Sequence, residues 1–142
     1  MTHIHETRTI DAPVEDVWAI IGEFDTGPTR MAPGFVVECR LEAPDTRLVT
    51  FANGMTARER LIELDAEARS VTYSVIGGSS TPTRDRATMR VLPTADGRTT
   101  FVWTRDVLPD ALGVPMAQAM VHGSDLVKAT MEALSESPVR PS

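Results

Sequence analysis

The spacing of apolar and polar positions divides the chain into a partly helical opening, a long series of strands and a closing helix. His3 to Ile10 suits a first strand, and Asp11-Ala-Pro13 reads as a turn. A helix follows, because Val14, Val17, Trp18 and Ile21 fall at helical spacing through Gly22. Proline fits its first turn, and Glu15 and Asp16 suit its positive end. Asp25-Thr-Gly-Pro28 and Ala32-Pro-Gly34 bracket a second, shorter helical piece.

From Phe35 the period changes to that of strands. Phe35–Glu42, Arg47–Ala52, Met55–Leu64, Arg69–Ile76, Arg84–Leu92 and Thr99–Leu108 are separated by turn residues such as Pro44-Asp45, Asn53-Gly54 and Ala95-Asp-Gly97. A long helix is predicted from about Pro109 to Glu136, with an apolar stripe of Leu112, Met116, Ala119, Met120, Gly123, Val127, Thr130, Met131 and Leu134. Ser137–Ser142 carries two prolines and reads as a frayed tail. No linker divides the chain, so 1–142 is expected to be one domain. These elements predict an α+β fold: a seven-stranded curved antiparallel sheet wrapped around the C-terminal helix, with two short helices after the first strand. Such wrapping leaves space between sheet and helix, a natural ligand cavity.

Strand parity then singles out three charges. If Ala87, Met89 and Val91 face the core, Asp85 faces inward and Arg84, Arg86 and Arg90 face out. If Phe101, Trp103 and Val107 are core, Arg105 is inward too. The turn at Ala95–Gly97 pairs Ala87 with Arg105 and leaves Asp85 one diagonal step away. Glu59, inward with Ala57 and Leu61, lies on another wall. Burial raises a carboxyl pKa and a nearby arginine lowers it, so this trio predicts one ionised carboxylate paired with Arg105 and one protonable acid. That suits general acid/base work on a carbonyl or hydroxyl, with Arg105 orienting substrate or stabilising an oxyanion. The plainer alternative is an ion pair that only satisfies a polar cavity wall.

Composition narrows the partners. The chain has 142 residues, 42% apolar and 24% charged, with a net charge of −6. Lys128 is the single lysine and the arginines are scattered, which argues against nucleic acid or an anionic membrane as partner. Cys39 is the only cysteine, the opening residues lack a signal-peptide pattern, and no apolar run approaches ~20 residues, so a cytoplasmic protein is expected. Cys39 itself reads as a small buried hydrophobe. His3 and His5 share a strand face but lack a third ligand, and no cofactor or metal motif is present. His122 flanks the stripe of the last helix, more as a boundary histidine than as a base. Met31, Met55, Met89, Met116, Met120 and Met131 are ordinary core residues that also suit an adaptable apolar pocket. Gly77-Gly-Ser-Ser80 and Asn53-Gly54 are expected at its mouth.

Taken in order, Ile10-Asp-Ala-Pro13 with Val17-Trp18, Phe24-Asp25, Arg58-Glu-Arg-Leu61 with Asp65, Thr72-Tyr-Ser74, Arg86-Ala-Thr-Met-Arg-Val91, and Asp96-Gly97 with Thr100 and Trp103 resemble the SRPBCC superfamily. These are START-like, helix-grip proteins that include the polyketide cyclase/dehydrase-like family. The resemblance covers nearly the whole chain. It implies an apolar cavity between sheet and last helix, with Glu59 and Tyr73 pointing inward. Asp85 stands where relatives often carry tyrosine, and Arg30 lies near the place of a common tryptophan, so the pocket is expected to be more polar than usual.

The expected function is binding of a small, largely apolar molecule, with Tyr73, Met89, Trp103, Met116, Met120, His122 and Arg30 as contacts, by a monomer or homodimer. The alternative is a cyclase or dehydratase using Glu59 and Asp85 as acid/base groups and Arg105 beside them.

Overall fold

The computed structural model describes residues 1–136, so the expected frayed tail 137–142 lies outside the described residues. β1 (Thr2–Ile10) leads into α1 (Val14–Ile21) and α2 (Gly27–Met31). Then come β2 (Val36–Ala43), β3 (Thr46–Phe51), β4 (Thr56–Asp65), β5 (Ser70–Gly78), β6 (Arg84–Pro93) and β7 (Thr99–Leu108). A single helical turn at Asp110–Leu112 delivers the chain to α3 (Gly113–Ser135). Among the described residues the strands make one curved antiparallel sheet in the order β1-β7-β6-β5-β4-β3-β2. The α+β, helix-grip arrangement expected from the sequence is the one observed.

Local chemistry explains the pieces. Pro13 precedes α1 in an extended conformation, Glu15 and Asp16 occupy its first turn, and its Val17, Ile20 and Ile21 are buried. β7 buries Thr99, Phe101, Trp103, Arg105 and Val107 in strict alternation. β6 buries Asp85, Ala87, Met89 and Val91 and exposes Arg84, Arg86 and Arg90. Ala87 pairs with Arg105, the register expected from the Ala95–Gly97 turn.

Ile10, Val17, Ile21, Val91, Phe101, Val107 and Val127 form the driest part of the core. Each such side chain contributes roughly 1.5–3 kcal/mol through burial. α3 closes the core with Met120, Gly123, Ser124, Val127 and Met131. Gly123 permits a close approach, since a Cβ there would meet the Trp103 ring at 3.1 Å. Leu134, expected on the same stripe, is instead 53% exposed. The last turn of α3 borders a separate side cavity rather than the sheet. Arg8 of β1 donates to Asp125 at 2.8 Å, and Lys128 donates to the Thr9 carbonyl at 2.5 Å, fixing α3 against the sheet edge. No helix among the described residues is long and apolar enough to cross a membrane.

Candidate functional site

A cavity of about 340 Å³ lies between the sheet and the first half of α3. The sheet lines it with Phe51, Ala57, Glu59, Tyr73, Val75, Trp103 and Arg105, and α3 with Pro115, Met116, Ala119 and Met120. Asn53, Met55 and Ser80 border it from the turns after β3 and β5, as expected of those loops. The two turns are tied together: Ser79 Oγ accepts from the Thr56 amide at 2.8 Å, and Ser79 N donates to the Thr56 carbonyl at 2.9 Å. A smaller chamber of about 60 Å³ continues toward α2, bordered by Met31, Val49, Met89 and Val127. Phe35, Phe51, Glu59, Tyr73 and Trp103 face both spaces.

The inward charges of the sheet are buried as two separate pairs. Arg105 Nε donates to Asp85 Oδ1 at 2.8 Å, and Nη2 approaches Oδ2 at 3.4 Å. Asp85 Oδ2 also accepts from the Val75 amide at 2.8 Å. The Asp85 side chain is 0% exposed, and it stands behind Arg105 without lining the cavity. Arg105 lines the cavity, and its Nη1 has no partner among the described residues. Burial opposes the Arg105 charge, but Tyr73, Asp85 and Glu59 outweigh it and raise the guanidinium pKa above its ordinary value.

Glu59 has a partner that the sequence reading did not assign. Arg47 of β3 faces Glu59 directly in the ladder, and both its Nε and Nη2 lie 2.8 Å from Glu59 Oε1. Arg47 Nη1 donates to the Phe24 carbonyl at 2.8 Å, while its guanidinium lies 4.2 Å from the Phe24 ring centroid. This corrects the expectation of one paired carboxylate and one free acid, because each carboxylate has its own guanidinium. Asp85 is also corrected as an acid/base group, since its oxygens are committed and shielded from the cavity. Glu59 keeps Oε2 without a partner among the described residues, on the cavity wall.

Tyr73 stands between the pairs, with the Arg47 and Arg105 guanidiniums 5.1 and 5.6 Å from its ring centroid. Its hydroxyl accepts from Trp103 Nε1 at 3.2 Å. Burial is the main cause that pushes its pKa up to about 12, so at neutral pH it keeps a proton to donate.

The remaining expected residues divide. Trp103, Met116 and Met120 line the main cavity, whereas Met89 borders only the smaller chamber. Arg30 is exposed at the far cavity beside Asp16 and Leu134, because the short α2 turns it away from the sheet. His122 is exposed and meets Phe35 edge-on, ring centroids 5.0 Å apart, without lining either space. The six methionines do not surround one cavity: Met55, Met116 and Met120 line the large space, Met31 and Met89 the small one, and Met131 the far one. Cys39 is half-buried, and burial raises its thiol pKa. His3 contacts Asp106 and His5 contacts Thr7.

Solved structures share this architecture. The protein XoxI of Bacillus cereus superposes with a TM-score of 0.81 at 20% identity, covering 94% of this chain and 98% of its own. An uncharacterised Bacillus thuringiensis protein gives 0.79 at 20% identity, covering 92% and 98% respectively. A Nitrosospira multiformis protein gives 0.78 at 22% identity, covering 99% and 100%. At these identities the likeness speaks to the fold. The family model described as polyketide cyclase / dehydrase and lipid transport matches residues 1–136, end to end across the sheet, the cavity wall and α3. The chain therefore belongs to the polyketide cyclase/dehydrase and lipid transport family.

Proposed function

We propose that the protein binds a small, largely apolar organic molecule in the cavity between the sheet and α3. The observation that carries this reading is the lining of the 340 Å³ space: mostly aromatic, methionine and aliphatic side chains, with Asn53, Thr56 and Ser80 as polar ones and, among the described residues, Glu59 and Arg105 as the charged ones. A concave apolar wall with few convergent polar groups is the usual composition of a small-molecule site. Burial of apolar ligand surface supplies affinity, while the polar groups fix orientation.

The test is titration with phenylnaphthylamine, whose emission rises in apolar surroundings, together with native mass spectrometry of the purified protein. Saturable binding is expected. Ala119→Trp, which sets an indole at the exposed rim of the cavity where Ala119 lines it, should block binding while circular dichroism stays unchanged. Equal binding by that folded variant would remove the cavity as the site.

A second reading, a cyclase or dehydratase, rests on Glu59, among the described residues the one carboxylate on the cavity wall with an uncommitted oxygen. It requires that Glu59→Gln retain ligand affinity and lose product formation. If affinity and turnover fall together, Glu59 is an anchor only.

A further inference from the structure

The two buried pairs balance. Arg47 and Arg105 supply two positive charges, Glu59 and Asp85 two negative ones, and all four act on Tyr73 at their centre. Yet only Glu59 and Arg105 reach the main cavity. Arg47 is committed to Glu59 and the Phe24 carbonyl, and Asp85 is committed to Arg105 and the Val75 amide. The charges that compensate the wall therefore sit outside the main cavity, Asp85 behind the wall and Arg47 on the smaller chamber.

Beside the Asn53, Thr56 and Ser80 side chains, three hydrogen-bonding positions at the charged pairs face a ligand. Arg105 Nη1 and the Tyr73 hydroxyl can donate, and Glu59 Oε2 can accept. A ligand carboxylate would gain a bond from Arg105 but would bring a third negative charge into a desolvated site whose guanidinium is already neutralised. A ligand ammonium meets the mirror problem, since Glu59 is already neutralised by Arg47. A carbonyl or hydroxyl satisfies the same positions without adding charge.

We propose that Asp85, without touching the ligand, makes the cavity select an uncharged molecule: it cancels Arg105 from behind and leaves that arginine a hydrogen-bond donor rather than an anion receptor. The ligand class is an uncharged organic molecule that carries a carbonyl or hydroxyl group, neither a carboxylate nor an amine. The inference rests on the reading that the cavity binds a small organic molecule, and it makes Asp85 a specificity-determining residue.

Four probes on one bicyclic skeleton test it: a naphthol, an acetylnaphthalene, a naphthoate and a naphthylmethylammonium, titrated by calorimetry at neutral pH. The naphthol and acetylnaphthalene should bind, and the two charged probes should bind about tenfold or more weakly. Asp85→Asn frees the Arg105 charge, so naphthoate should rise to at least the level of acetylnaphthalene while the ammonium weakens further. Glu59→Gln frees Arg47 and should shift the preference toward naphthoate as well, which keeps the test open if Asp85→Asn fails to fold. Equal binding of naphthoate and acetylnaphthalene by the unaltered protein overturns the inference and leaves cavity binding intact. So does an unchanged ranking in a folded Asp85→Asn. If no probe binds at all, the cavity-binding reading fails, and this inference with it.

Discussion

Burial makes Tyr73 give up its proton late, even though the guanidiniums of Arg105 and Arg47 near its ring favour the phenolate. Its pKa is pushed from about 10 in an unfolded chain to about 12 in the folded one. A raised folded-state pKa means that the contribution is fully present below pH ~10 and is lost as pH climbs through ~12. That rise corresponds to about 3 kcal/mol of stability lost across that window. Denaturant unfolding between pH 9 and 12 should show the fall, and Tyr73→Phe should remove this part of it; an identical slope in the variant would refute the assignment. The same scale shows what parity can reveal. Asp85 and Arg105 were readable because the Ala95–Gly97 turn sets their register and both strands alternate cleanly. Arg47 was not, although it lies inward on the same parity as Val49. Its role depends on which residue opposes it across a turn.

That turn belongs to the scale of elements. Asn53-Gly54 alone suggests a two-residue hairpin loop, which would place Arg47 opposite Arg60. The chain instead forms a three-residue loop, with Phe51 N donating to the Met55 carbonyl at 2.8 Å and Gly54 at φ +87°. One residue of register moves Glu59 opposite Arg47 and turns a repulsive pair into an ion pair. Strand bounds were legible from the period-two pattern; this register was not, because it depends on the loop's conformation. Gly78 illustrates another close fit, at φ +101° with a Cβ position only 2.5 Å from the Thr56 carbonyl oxygen. Gly78→Ala should cost about 1–3 kcal/mol in urea unfolding. Gly54→Ala should cost less, since its Cβ would meet nothing within 4 Å and only the backbone penalty remains. The reverse order would show that the Thr56 contact relaxes freely.

For the whole molecule, cavity and fold are coupled, because the sheet and α3 that bury the core also enclose the cavity. A ligand that binds only the folded state, present at about 100 times its Kd, stabilises by about 2.7 kcal/mol. For a chain of this length that is a Tm rise of about 10 °C. Scanning calorimetry with acetylnaphthalene should show it for the unaltered protein and not for Ala119→Trp. The overall architecture was legible in the element order, whereas the division of the interior into a large and a small space was not. That division depends on how Phe35, Phe51, Tyr73 and Trp103 pack together from distant parts of the chain. The strand order has its own bearing on synthesis. β2 to β7 pair neighbour with neighbour as the chain emerges, but Thr2 must wait for Val107, its partner across the ladder. Loop-closure entropy places that pairing after the local hairpins. Because α3 docks against β1, the helix that closes the cavity settles only when the first and last elements meet, so whatever enters the cavity enters a chain that has already folded.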